Sequence, residues 1–276
     1  VTGMRIVVKW GGSLQENSGA IADDIAALWP GHRIVVVHGG SRDIDDTVAE
    51  LGLPRRTLRS PDGMVTRYTD AATLTALMMA MRGRTQARIV SELAARGVTA
   101  AGLSGMDGGL VRTRRKAAVR AVFGDSVRVV RDNLAGKVVG VDTRVLEALL
   151  ACDILPVVCP PGMTAEGEPT NVDADRMACA IAAAWRADRL LLCTDTPGVL
   201  ADRDDPASVI PELDRDGAAE LVPTLSGGMR MKIAAAVEAL DRGALAVQVC
   251  DGRVEAPIAA ALRGSGTIVG EGRGTI

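Results

Sequence analysis

Aromatic side chains are almost missing from this chain: one Tyr, one Phe and three Trp make up 2% of its 276 residues. That is too few for the stacking platforms that hold single-stranded nucleic acid. Histidine is as scarce, and His32 and His38 alone cannot make a histidine-rich metal site. The five cysteines, Cys152, Cys159, Cys179, Cys193 and Cys250, include no C-x-x-C pair and stand far apart in apolar surroundings. That pattern predicts burial rather than zinc, redox or disulfide duty. No segment approaches the roughly 18 apolar residues of a membrane span, and the N-terminus lacks the basic-then-apolar layout of a secretory signal, so a cytoplasmic protein is expected. No G-x-x-x-x-G-K-[ST] occurs, because Gly136-Lys137 is followed by Val138, and no G-x-G-x-x-G follows an early strand. P-loop enzymes, dinucleotide oxidoreductases and serine hydrolases with a nucleophile elbow are therefore unsupported.

What is present is apolar and periodic. With 47% apolar residues and a formal net charge of −2, the chain can bury a substantial core. Short β-branched runs at 5–9, 33–37, 98–102, 154–159, 189–193 and 246–250 alternate with segments of helical period. The predicted fold class is α/β, a three-layer sandwich with a central, mostly parallel open sheet flanked by helices. Ile21, Ile25 and Leu28 form one helical stripe; Leu74, Leu77, Met78 and Met81 form another behind a start at Thr69-Asp70. Met78, Met79 and Met81 are accordingly expected in the core. Val145, Leu146 and Leu149 make a third stripe, and the alanine-rich segments 174–186 and 229–242 favour closely packed helices. Val119–Arg131 reads as a β-hairpin turning at Gly124-Asp125, and 163–168 as a tighter loop.

Five places carry chemistry. Lys9-Trp10-Gly11-Gly12-Ser13 closes one apolar run and His38-Gly39-Gly40-Ser41 closes another. Their glycines allow backbone N–H groups to approach an anion, and Lys9 adds a positive charge, although two ordinary strand-to-helix turns would look the same. Asn171-Val172-Asp173-Ala174-Asp175 enters a helix; capping explains one or two of these polar side chains, not three at alternate positions. At the C-terminal edge of a parallel sheet such a trio could hold a substrate amide and position lysines. Thr194-Asp195-Thr196-Pro197-Gly198-Val199-Leu200 runs from a strand into a turn, and Ser226-Gly227-Gly228-Met229-Arg230-Met231-Lys232 opens a helix, again favouring phosphate. Lys232 sits one turn into that helix, where a cation is poorly matched to the dipole; it is either solvated or compensated by an anion.

Together with Arg67-Tyr68-Thr69-Asp70 and Gly102-Leu103-Ser104-Gly105-Met106-Asp107-Gly108, these motifs resemble the amino acid kinase family, and within it the acetylglutamate kinases, from Met4 to about residue 270. The resemblance implies one kinase domain over 4–270, with a substrate-binding lobe over 4–162 and a nucleotide-binding lobe over 163–270. It implies phosphorylation of a side-chain carboxylate by ATP with Mg2+, and no protein metal site. Lys9 and Lys232 would serve the phosphates and Asp175 would hold both ammonium groups; Gly11, Gly12 and Gly39 would form the phosphate cradle. Gly40, Ser41, Arg67 and Asn171 would bind the amino acid, Arg67 by its α-carboxylate. Thr194, Asp195, Gly198, Leu200, Gly228 and Met229 would bind the nucleotide.

Two departures refine the branch. Arg67-Tyr68-Thr69 stands where acetylglutamate enzymes usually carry Arg-Val-Thr, and Asp173 where they commonly carry asparagine. Both forms resemble the lysine-biosynthesis branch, which phosphorylates aminoadipate or glutamate joined through its amine to a small acidic carrier protein. Residues 112–131 also hold Arg112, Arg114, Arg115, Lys116, Arg120, Arg128 and Arg131 against one acid, Asp125. Such a run is either a solvated face or a dock for an acidic carrier, Arg114, Arg115 and Lys116 being the candidates. Free N-acetylglutamate as acceptor, and a non-catalytic binding protein of this fold, are the alternatives. With only Val1-Thr2-Gly3 ahead of the first strand, a homodimer is expected rather than a hexamer.

Overall fold

A strand that is apolar at every position needs cover on both faces, and the central strands of this protein have it. The computed structural model describes residues 3–12, 14, 18–243 and 246–270; Ser13 lies outside them. The chain opens with β1 (Arg5–Trp10), α1 (Ser18–Leu28), β2 (Arg33–His38) and α2 (Ser41–Glu50), then a hairpin of β3 (Thr57–Arg59) and β4 (Val65–Arg67). A long helical path follows: α3 (Ala71–Met78), a π-helical stretch (Met79–Gln86) and α4 (Ala87–Ala94). Next come β5 (Ala100–Ser104), β6 (Val111–Arg115), β7 (Val119–Phe123), β8 (Ser126–Val130), β9 (Gly136–Val141), α5 (Arg144–Ala151) and β10 (Leu155–Cys159). The remainder is β11 (Gly162–Met163), β12 (Pro169–Thr170), α6 (Ala174–Trp185), β13 (Arg189–Thr194), β14 (Glu212–Leu213), α7 (Arg215–Leu221), α8 (Gly227–Leu240), β15 (Ala246–Asp251), α9 (Pro257–Leu262) and β16 (Thr267–Gly270).

Eight of these strands form the central sheet, in the order β14-β16-β15-β13-β1-β2-β10-β5. All neighbours are parallel except β15 and β16. Side chains alternate between its faces. Val7, Val35, Val37, Leu190 and Leu192 pack toward α6 and α8, whose Ala178, Ala182, Ala235 and Ala236 let the helices approach closely. Ile6, Val8, Ile34, Val36 and Leu191 pack the other way, against Ile21, Ile25, Ile89, Leu93 and Ile258 of α1, α4 and α9. This is the three-layer α/β architecture expected from the pattern. A smaller sheet, β12-β11-β6-β9, and the β7–β8 hairpin sit beside it. Among the described residues no helix is long and apolar enough to cross a membrane.

Three sequence expectations need correction. The strand read at 98–102 lies at Ala100–Ser104, two residues later, because Leu93 and Val98 close the turn after α4 through a backbone hydrogen bond of 3.0 Å. Met79 is 53% exposed: it follows Met78 by one step of rotation, which turns it off the buried stripe, whereas Met81 is buried. Cys152 is exposed at the C-terminal cap of α5, while the other four cysteines are buried.

Candidate active site

Alternation along β1 puts Lys9 on the same face as Val7, the face covered by α6, at the strand's C-terminal end. The first turn of α6 brings Asp175 to that point. Lys9 Nζ lies 2.8 Å from Asp175 Oδ1, and Lys232 Nζ, from the second turn of α8, donates to Asp175 Oδ2 at 3.1 Å. The anion left open for Lys232 by its position on the helix is therefore Asp175. All three are shut away from water, with side chains 7%, 12% and 6% exposed for Lys9, Lys232 and Asp175. Burial alone would raise the Asp175 carboxyl, but the charges of Lys9 and Lys232 overcome it and hold it at about 2. Burial likewise pulls the Lys9 ammonium down, yet Asp175 more than compensates and its pKa is raised. The result is one fixed carboxylate between two fixed cations.

The neighbouring polar residues divide by role. Asp173 is the N-cap of α6, accepting from the Arg176 backbone N–H at 3.0 Å, so capping accounts for it. Burial and then the charge of Asp175 raise its pKa. Asn171 donates through Nδ2 to Thr69 Oγ1 at 3.1 Å, while its backbone pairs with Gly136. Arg67, at the end of β4, meets Asp45 Oδ1 at 2.6 Å, a partner that local sequence did not reveal.

The two glycine turns face each other. A Cβ on Gly11 would sit 2.6 Å from the Cys193 carbonyl oxygen, and one on Gly40 would sit 2.8 Å from Thr85 Oγ1, so both positions have room for hydrogen alone. A Cβ on Gly12 would approach the Ser41 backbone nitrogen at 3.3 Å, which fixes how near the turns run. Beneath them His38 is buried; desolvation pushes its pKa down to about 4, so the ring is neutral near pH 7, with Nδ1 2.7 Å from the Gly39 carbonyl oxygen.

These groups line a cavity of about 440 Å³. Lys9, Gly11, Gly12, Gly39, Gly40 and Ser41 form one end with Asp175 and Lys232; Arg67 and Asn171 lie on its walls. A second cavity, of about 650 Å³, is lined by Thr194, Asp195, Gly198, Leu200, Gly228 and Met229. Thr194 and Lys232 border both. Gly227 has φ +56°, and neither it nor Gly228 has an atom within 4 Å of a built Cβ, leaving the N-terminus of α8 open toward this second space. The structure thus brings six of the seven motifs that sequence separated to these two cavities; the seventh, over 102–108, lines neither. Arg114 is not among them; it is exposed on β6, and Arg115 turns away to donate to the Arg131 carbonyl oxygen at 2.9 Å.

Several lining residues escaped the sequence reading. Asn133 lines the first cavity, and Arg203, Leu221 and Leu225 line the second; Lys116, expected as a docking residue, lines the first cavity with Arg176. None sits in a glycine motif, and no periodicity marks them, because only the packing of β6, α6 and α7 brings them there.

The profile of the amino acid kinase family matches residues 4–251. The chain belongs to the amino acid kinase family. It is 40% identical over 267 residues to the [LysW]-aminoadipate kinase of Thermus thermophilus, covering 96% of this chain and 99% of that protein. It is 36% identical over 259 residues to the acetylglutamate kinase of Symbiobacterium thermophilum, covering 92% and 86%. Among solved structures, N-acetylglutamate synthase of Neisseria gonorrhoeae, complexed with coenzyme A and N-acetyl-glutamate, superposes with a TM-score of 0.76 at 23% identity, over 98% of this chain and 60% of that one. That last likeness speaks to fold alone. As an amino acid kinase the protein is a phosphotransferase that uses ATP.

Proposed function

We propose that this kinase transfers the γ-phosphoryl group of ATP to the side-chain carboxylate of an aminoadipate or glutamate whose α-amine is blocked, giving an acyl phosphate, and that the acceptor is carried on a small acidic amino-group carrier protein. The observation that carries the reading is Asp175 gripping Lys9 and Lys232 where the two cavities meet. A carboxylate is already ionised at pH 7, so the reaction needs no general base. What it needs is alignment and neutralisation of charge on the phosphoryl oxygens, and these residues are arranged to supply both.

In this reading the acceptor lies in the first cavity. Its α-carboxylate takes the Arg67 guanidinium and its amide is held at Asn171, with backbone N–H groups of the turns at Gly11, Gly12, Gly39 and Gly40 around the transferring group and Ser41 beside them. The nucleotide lies in the second, between Thr194, Asp195, Gly198 and Leu200 on one side and Gly228 and Met229 on the other. Mg2+ enters as part of the nucleotide substrate, on its phosphates, and adds to the neutralisation there. Residues 4–162 supply most of the acceptor site and 163–270 most of the nucleotide site, with Asn171 and Asp175 reaching back across. The work is done in the cytoplasm.

A carrier-borne acceptor is favoured over a free one by the Arg67-Tyr68-Thr69 and Asn171-Val172-Asp173 forms and by the cationic face of β6, β7 and β8, where Arg112, Arg114, Arg120 and Arg128 are exposed. The likeness to acetylglutamate kinases keeps free N-acetylglutamate as the second reading. ADP release and hydroxamate trapping, run side by side with N-acetylglutamate, N-acetylaminoadipate and the two carrier conjugates, test it. Higher kcat/KM for a conjugate supports the proposal; turnover of N-acetylglutamate alone replaces it with the second reading; no acyl phosphate from any of them overturns both.

A further inference from the structure

One cation in the acceptor cavity has no role in the chemistry described so far. Lys116, exposed to solvent, follows β6 and lines that cavity at its edge, on the wall where Asn171 stands. The placement is set by backbone: Lys116 N–H donates to the Ala135 carbonyl oxygen at 2.9 Å, Ala135 bridges to Asn171, and Gly136 N–H donates to the Asn171 carbonyl oxygen at 2.8 Å. Among the described residues no carboxylate lies within ion-pair distance of the Lys116 ammonium. Arg176 lines the same wall; its Nη2 donates to Glu238 at 2.7 Å, while its Nε is buried without a hydrogen-bond partner. Burial, and then the positive charge of Arg176, lower the Lys116 pKa, with Lys137 adding to the repulsion and Glu238 opposing it. A cation at the edge of a cavity beside other cations, and lacking its own acid, is arranged for an anion that comes with the ligand.

The proposed reaction already assigns two carboxylates of the acceptor, one to the lysines and one to Arg67. Neither reaches the Asn171 wall in that arrangement, because that wall receives the blocked amine. An anion arriving there belongs to the blocking group itself. An acetyl group has none. An acidic residue at the end of a carrier has two carboxyls, and whichever one forms the amide, the other stays free a few bonds away. We infer that Lys116, with Arg176 beside it, forms a subsite for a carboxylate on the group that blocks the acceptor's amine, and so discriminates carrier-type acyl groups from acetyl. The inference rests on the function proposed above.

The probes are N-acetylaminoadipate and N-glutarylaminoadipate, which differ by a carboxylate at the end of a short acyl chain. The wild-type enzyme should prefer the glutaryl compound in kcat/KM by about tenfold, the effect of one charge-assisted hydrogen bond, and the preference should shrink as ionic strength rises. Lys116→Met should bring the ratio of the two kcat/KM values to about one through KM of the glutaryl compound, and Lys116→Arg should restore part of it. A ratio unchanged in Lys116→Met, or a wild-type ratio near one with both compounds turned over, overturns the subsite and leaves the kinase reading standing. Failure of the wild type to phosphorylate either compound or the carrier conjugates overturns the kinase reading, and the subsite with it.

Discussion

Replacing Asp175 by Asn tests the centre of the site, because it removes one charge and strands two. The side chains of Asp175 and Lys9 are 6% and 7% exposed, so neither group can turn to water to recover its solvation. Breaking a buried ion pair from one side costs about 3–5 kcal/mol; the amide oxygen of Asn still accepts one ammonium hydrogen, which places the expected loss near the lower end, about 3 kcal/mol. At about 2–4 °C per kcal/mol for a chain of this size, Tm should fall by about 6–12 °C. Lys9→Met is the matched comparison: Asp175 keeps Lys232 at 3.1 Å, no charge is left alone, and the loss of stability should be clearly smaller. In activity the two should look alike, with kcat down by at least about 100-fold, since in the proposed reaction Lys9 neutralises the transferring group and Asp175 holds both ammonium groups in place. Circular-dichroism melting and ADP release measure both. The pH dependence has a definite sign: a carboxyl lowered from 3.8 to about 2 contributes stability that is present above pH 4 and lost as pH falls toward 2. The contribution is about 2 kcal/mol, and Asp175→Asn should flatten that acid limb. A Tm shift for Asp175→Asn no larger than that for Lys9→Met, or a kcat within tenfold of wild type in either, would refute the reasoning.

Gly11→Ala should cost about 1–3 kcal/mol, because its Cβ would fall 2.6 Å from the Cys193 carbonyl oxygen; an unchanged denaturant midpoint would contradict this packing. Thiol labelling of the native protein should modify one cysteine quickly, Cys152, and Cys152→Ser should abolish that phase. Burial raises Cys159 to about 12 and drives Cys179 higher still, so rapid labelling of a second thiol would count against the core as described. Arg114→Glu, on an exposed position of β6, should raise KM for a carrier-borne acceptor about three- to tenfold at low salt and leave KM for N-acetylaminoadipate near its wild-type value. Equal losses on both would remove the docking role.

The layers were legible because they depend on local pattern: a β-branched run such as Ile6–Val8 or Leu190–Leu192 can be buried in few other ways. The cluster of Asp70 with the start of α3 was legible for the same reason, since its carboxylate accepts from the Thr73 N–H at 2.8 Å, three residues on. Lys232 announced a missing anion through its helix position, while Asp175, 57 residues earlier, was named as that anion by the family resemblance and not by any local spacing. Partners set by tertiary packing left no local trace. Arg67 gives no hint of Asp45, Lys116 none of Arg176, and Met79 reads as core until the rotation between α3 and the π-helical stretch is known.

Thr194 and Lys232 border both compartments, so the two compartments share one hydroxyl and one ammonium at their common boundary. A molecule settling on one side changes the field felt on the other through the same ammonium, and thermodynamic reciprocity makes that influence equal in both directions. Calorimetric titrations of nucleotide at rising acceptor, and of acceptor at rising nucleotide, therefore report one joint free energy. An affinity measured for either molecule alone describes only a corner of that cycle.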